Sequence, residues 1–162
     1  MGSSSSDSGN KSLETARRLL EEAALPTSTN PTEAEGGFYD AFVLRGIRVQ
    51  AARPGTLLCH FTVPSRLLNS GGFLHGGATA SLVDLVASAA FCTAGLRTKG
   101  SPLEMNISYL DAAFPDEEID IEAKVLRAGK AVGVAVVELK KKSGKIIAQA
   151  RHSKYLGASS KL

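Results

Sequence analysis

The sequence predicts an α+β fold in which a curved antiparallel sheet wraps one long central helix. Three observations carry this. Residues 76 to 94, GGATASLVDLVASAAFCTA, are small or apolar except for one carboxylate, Asp84. About six strand-like runs flank that segment, two before it and four after. The last four are joined by short turns, FPDEE, AGK and KKSGK, which suit an antiparallel meander. A sheet with one apolar face must cover something, and a segment that is apolar all round is the element to be covered.

The elements follow in chain order. Residues 1 to 10 are serine-rich and polar and predict disorder. Residues 11 to 24 place Leu13, Ala16, Leu19, Leu20 and Ala23 on one face of an amphipathic helix, with Ser12 as its cap and Pro26 as its stop. The stretch 26 to 37 is a linker by its Pro, Thr, Asn and Gly content. FVLRGIRVQAA and TLLCHFTVP read as two strands around the turn Arg53-Pro54-Gly55, and 65 to 75 as a loop. After the helix come LEMNISYLDA, IDIEAKVLRA, AVGVAVVELKKK and KIIAQARHSKYL. The run 131 to 139 is nearly all apolar, as a central strand is. Three segments result: 1–37 as tail, helix and linker, 38–157 as the folded domain, and 158–162 as a C-terminal tail.

Bulk properties narrow the function. The chain has 162 residues, a net charge of +3, 43% hydrophobic and 22% charged residues. That is the size of one ordinary domain and gives no strong case for nucleic acid. Lys140, Lys141 and Lys142 read as a solvated strand edge, since no aromatic residues interleave with them. Cys59 and Cys92 sit in apolar contexts and read as buried, reduced thiols of an intracellular protein. His60 lies within a strand and is assigned no chemistry, and the three histidines and two cysteines show no metal-ligand spacing. No apolar run approaches the roughly 18 residues of a membrane span, and no secretory leader is seen. The MGSSSS start fits only the loose myristoylation pattern, without a polybasic patch. The last three residues, Ser160, Lys161 and Leu162, match the tripeptide read by the peroxisomal import receptor. A peroxisomal location is therefore expected, with the cytoplasm as the alternative.

Asp84 sets the central question, because a charge in such a segment is costly unless it is paired or hydrogen-bonded. Its bland role is a pairing with an arginine or a neighbouring loop; perturbed carboxylates in apolar surroundings are also often catalytic. His75 precedes it by nine residues. On one helix that is ~14 Å of rise and about half a turn out of phase. One chain cannot bring both to one small substrate atom; two antiparallel helices of a two-fold dimer can. Gly76 and Gly77 stand at the helix start, where unpaired N–H groups and the dipole favour an oxyanion.

LLNSGGFLHGGATASLVD, LEMNISYL, VLRAGKAVGVAVVEL and GKIIAQARHSKYLG together resemble the hotdog-fold acyl-CoA thioesterases of the small PaaI-like group, over roughly residues 40 to 157. The resemblance implies a hotdog fold, a homodimer pairing into a homotetramer, hydrolysis of acyl-CoA to acid and CoA, and no metal or cofactor. Gly76 N–H would polarise the thioester carbonyl. Asp84 of the opposite subunit would be general base or nucleophile, while Asn69 and His75 would position water and substrate and fix the loop. CoA would contact Arg127, Gly129, Lys130, Ala131 and Val132 of the AGK turn and Arg151, His152, Lys154 and Tyr155 near the end; Tyr109 is placed with the substrate contacts. One departure stands out: Pro102, beside Ser101, occupies the position where the family often has a hydroxyl. Phe73, Leu74, Leu103 and Phe114 would line a fatty-acyl tunnel or an aromatic slot, with medium to long fatty acyl groups favoured. The competing readings are another hotdog enzyme on acyl-CoA, such as a hydratase, and a non-catalytic acyl-CoA binder with a structural Asp84.

Overall fold

The structure is a computed structural model and describes residues 4–25 and 37–157. The elements are α1 (Ser4–Arg17), a π-helical turn (Arg18–Glu22), α2 (Phe38–Leu44), β1 (Arg48–Arg53), β2 (Thr56–Thr62), a 3₁₀ turn (Ser65–Leu67), α3 (Gly76–Thr93), β3 (Ser101–Tyr109), β4 (Glu118–Ala128), β5 (Val132–Lys141) and β6 (Ile146–Tyr155).

The six strands form one antiparallel sheet in the order β1-β2-β4-β5-β6-β3. Period-2 alternation turns Leu57, Cys59 and Phe61 of β2, Ile119, Ile121 and Ala123 of β4, and Ala135, Val137 and Leu139 of β5 to one buried face. The register lines them up in rows, Phe61 opposite Ile119, Ile121 opposite Leu139, and Val137 opposite Ala150. α3 packs against all six strands. Six strands span ~24 Å, about twice a helix diameter, so the sheet must curve to keep every strand on the helix. This is the hotdog architecture. From Val86 to Phe91 every residue of α3 is buried. By length and composition α3 is apolar enough to cross a bilayer, contrary to the reading that no such run exists; here 61% of it is buried inside the protein.

Five local expectations are corrected. Residues 4 to 10 are helical rather than disordered, and Ser12 is inside α1, where its hydroxyl donates to Thr93 O instead of capping. Ala16 and Leu20 of this helical arm are fully buried. Residues 42 to 44 belong to α2 instead of a strand: Gly37 enters α2 at φ 96° and Gly46 leaves it at the same angle, a left-handed conformation open to glycine. The last four strands are not a simple meander, since β3 pairs with β6, not with β4. Cys59 is buried as expected, but Cys92 is only half-buried. Most of the 26–37 linker and the SKL tail lie outside the described residues.

Candidate active site

Two parts of α3 hold the candidate catalytic residues, its first turn and the turn around Asp84. The first turn is built by the preceding loop. Asn69 Oδ1 accepts from Gly71 N at 2.9 Å and Phe73 N at 3.3 Å, and Leu74 N donates to Ala113 O at 2.8 Å. These bonds fix the loop's shape and tie it to the β3–β4 connection. His75 is the N-cap: its Nδ1 accepts from Gly77 N at 2.8 Å. That leaves Gly76 N–H as a first-turn donor with no helical acceptor. A cleft of about 450 Å³ opens beside it, lined by Phe73, Leu74, Gly76, Thr79, Tyr109 and Ala113 among others. Tyr109 Oη donates to Gly76 O at 3.1 Å, and a Cβ at Gly76 would sit 3.4 Å from the Tyr109 ring. The first turn is therefore a mostly apolar-walled cradle with the Gly76 N–H at the positive end of a helix dipole.

Asp84 stands eight residues further along, ~12 Å by helix rise. In a single chain it does not reach Gly76. Its Oδ1 accepts from His152 Nε2 at 2.7 Å and from Lys154 Nζ at 2.9 Å. Lys154 Nζ also donates to Ser88 Oγ, and Ser88 Oγ donates to Asp84 O at 2.7 Å. His152 Nδ1 faces Glu104 O at 2.9 Å. Both ring nitrogens thus face oxygen atoms, one of the Asp84 carboxylate and one of the Glu104 backbone. Burial alone would raise the Asp84 carboxyl; the hydrogen bonds from His152 and Lys154, with their charges, outweigh it and lower it to about 2. The Asp84 side chain remains 34% exposed, while His152 and Lys154 are 0% and 2% exposed.

The residues assigned to CoA divide by strand parity. On β6, His152 and Lys154 share the inward face with Ala148 and Ala150, so in this chain they serve Asp84 and are not presented to a phosphate. Arg151 and Tyr155 point the other way and are exposed, as are Arg127, Lys130, Ala131 and Val132 at the β4–β5 turn, with Gly129 half-buried. Leu156 N donates to Ala131 O at 2.6 Å, tying the turn to the end of β6. Ser101 and Pro102 are exposed at the start of β3, opposite Tyr155 and Lys154. Ser88 escaped sequence reasoning altogether. The signal for its group was present: residues 148, 150, 152 and 154 alternate Ala, Ala, His, Lys on a strand whose intervening residues are polar or aromatic.

Residues 71–148 match the model of the family described as the thioesterase superfamily. Acyl-coenzyme A thioesterase 13 of Mus musculus is 40% identical over 116 residues, covering 71% of this chain and 83% of that protein. The chain belongs to the thioesterase superfamily. A putative esterase of Schizosaccharomyces pombe is 32% identical over 73% of this chain and 74% of its own length. Among solved structures, zebrafish thioesterase superfamily member 2 superposes with a TM-score of 0.77 at 36% identity, over 90% of this chain and 98% of that one. The PaaI protein of Escherichia coli shares the fold at a TM-score of 0.69 and 21% identity. In this thioesterase-superfamily chain, the half-exposed carboxylate and the free helix N–H lie on the same helix yet too far apart to meet.

Proposed function

We propose that the chain hydrolyses acyl-CoA thioesters to carboxylic acid and CoA, at sites shared between two copies. The observation that carries this is the separation on α3 of Gly76 N–H, beside an apolar cleft, from an ionised, solvent-reaching Asp84. The name of the mouse relative supports the substrate class. In this reading the thioester oxygen accepts from Gly76 N–H of one copy. Asp84 of the other copy either takes a proton from water as it attacks the carbonyl carbon, or attacks directly to give a mixed anhydride that water then hydrolyses to the acid, freeing Asp84. The oxyanion collects on the Gly76 donor, the C–S bond breaks, and CoA leaves as the thiol after taking up a proton. Asn69 and His75 act by shaping the loop and freeing that N–H. Pro102 supplies no hydroxyl, so Ser101 is the nearby hydroxyl on the same strand end.

Dimerisation is part of the proposal. β3 is a sheet edge with Leu103, Met105 and Tyr109 exposed, and Leu110 follows them. A long apolar edge of this kind favours pairing with a second copy. The copy-to-copy pairing into a tetramer, a medium to long fatty acyl group and peroxisomal import through SKL complete the reading.

The test is CoA release, followed with a thiol-reactive dye, from short, long and aromatic acyl-CoAs. Asp84→Asn should lower kcat by roughly 10²- to 10⁴-fold with the fold retained. Binding without turnover in the unaltered protein would sink the enzyme reading and leave an acyl-CoA binder.

A further inference from the structure

Lys154 is a buried charged group that the proposed reaction does not use directly. Lysine is rarely buried, and its ammonium is costly to desolvate without a fixed partner. Here the strand alternation of β6 drives it under α3, where it is 2% exposed. Its Nζ spans one helical turn, donating to Asp84 Oδ1 at 2.9 Å and to Ser88 Oγ, whose hydroxyl returns to Asp84 O at 2.7 Å. The carboxylate it holds is not buried with it. Asp84 instead keeps a third of its side chain accessible, while both described bonds converge on Oδ1.

Resting on the thioesterase reading, we propose that Lys154 is a positioning residue: it clamps Asp84 through Oδ1, fixing the rotamer and keeping the carboxylate charged for work outside its own chain. The groups facing this clamp are few. Asp84, Ser88 and Cys92 lie on α3, and His152 lies beside Lys154 on β6. Arg18 from the π-helical turn and Lys99 from the loop after α3 act on Cys92 electrostatically. Asp84 is the carboxylate among them.

The test compares wild type with Lys154→Met and Lys154→Gln, each checked for folding by circular dichroism. The expected result is that kcat in both variants develops an acid limb at least one pH unit above that of wild type, with KM within about twofold. Glutamine, which can donate but carries no charge, should recover part of the kcat at pH 8 and none of the shift. A uniform fall at every pH, or no change, would overturn the proposal. The second readout needs no turnover: in ¹³C-aspartate-labelled wild type, the carboxyl resonance absent from Asp84→Asn should stay ionised down to pH 3. Titration of that resonance at pH 4 or above would reject the clamp even if neither lysine variant folds. A wild type that releases no CoA yet shows the low titration would overturn only the thioesterase reading.

Discussion

At the scale of single residues, Asp84 shows how one carboxylate is held in a helix that is otherwise small or apolar. His152 and Lys154 offset its desolvation, while a third of the side chain stays open to solvent. The sign of the resulting pH dependence is fixed. The folded carboxyl lies at about 2, below an unfolded value of ~3.9, so ionised Asp84 favours the folded state. That contribution is fully present above pH ~4 and is lost as pH falls towards 2. The gap in urea midpoint between wild type and Asp84→Asn should therefore be level from pH 7 to 5 and narrow below pH 4. A gap that widens on acidification would contradict this pairing. The anomaly of Asp84 was legible in the sequence, because a lone charge in a buried pattern stands out. Its partners were not, because they come from residues 68 and 70 positions away.

At the scale of elements, α3 and β5 meet at a glycine. A Cβ on Gly133 would sit 2.6 Å from Phe91 Cε1 and 2.6 Å from Leu156 Cδ1, so the helix, the strand and the chain end close on a hydrogen atom. Gly133→Ala should destabilise by about 1–3 kcal/mol through overpacking, read as a lower denaturant midpoint with an unchanged slope. An unaltered midpoint would show that the Phe91 ring gives way freely. The same scale explains the error over residues 42–44. FVLRGIRV has enough branched and aromatic residues for a strand, but the two left-handed glycines and the packing of Val43 and Leu44 into the core make its first part a short helix. Arg66 then fastens its end, donating to Phe42 O at 2.7 Å and to Val43 O at 3.4 Å.

At the scale of the whole molecule, the proposed reaction needs two copies to complete a site. Gly76 and Asp84 cannot converge within one chain, and β3 leaves an apolar edge open. Met105→Lys, placed mid-strand on that edge, should shift the protein to a monomer in analytical ultracentrifugation and reduce acyl-CoA turnover at least tenfold, with circular dichroism preserved. A monomer that keeps full turnover would show that a single chain holds a complete site.

The sequence by itself determined the helix that would be buried, the alternating strands that would cover it, the N–H at Gly76 and the oddity of Asp84. Each depends on the spacing of residues near one another in the chain, where helix and strand periods act directly. Only the tertiary structure decided that β3 pairs with β6 and that His152 and Lys154 turn inward to Asp84. Strand order is set by which edges close over α3, and a side chain's partner by which face of the sheet that closure buries. Those outcomes depend on contacts across dozens of residues, so the same lysine reads as a surface cation in the chain and is a buried clamp in the fold.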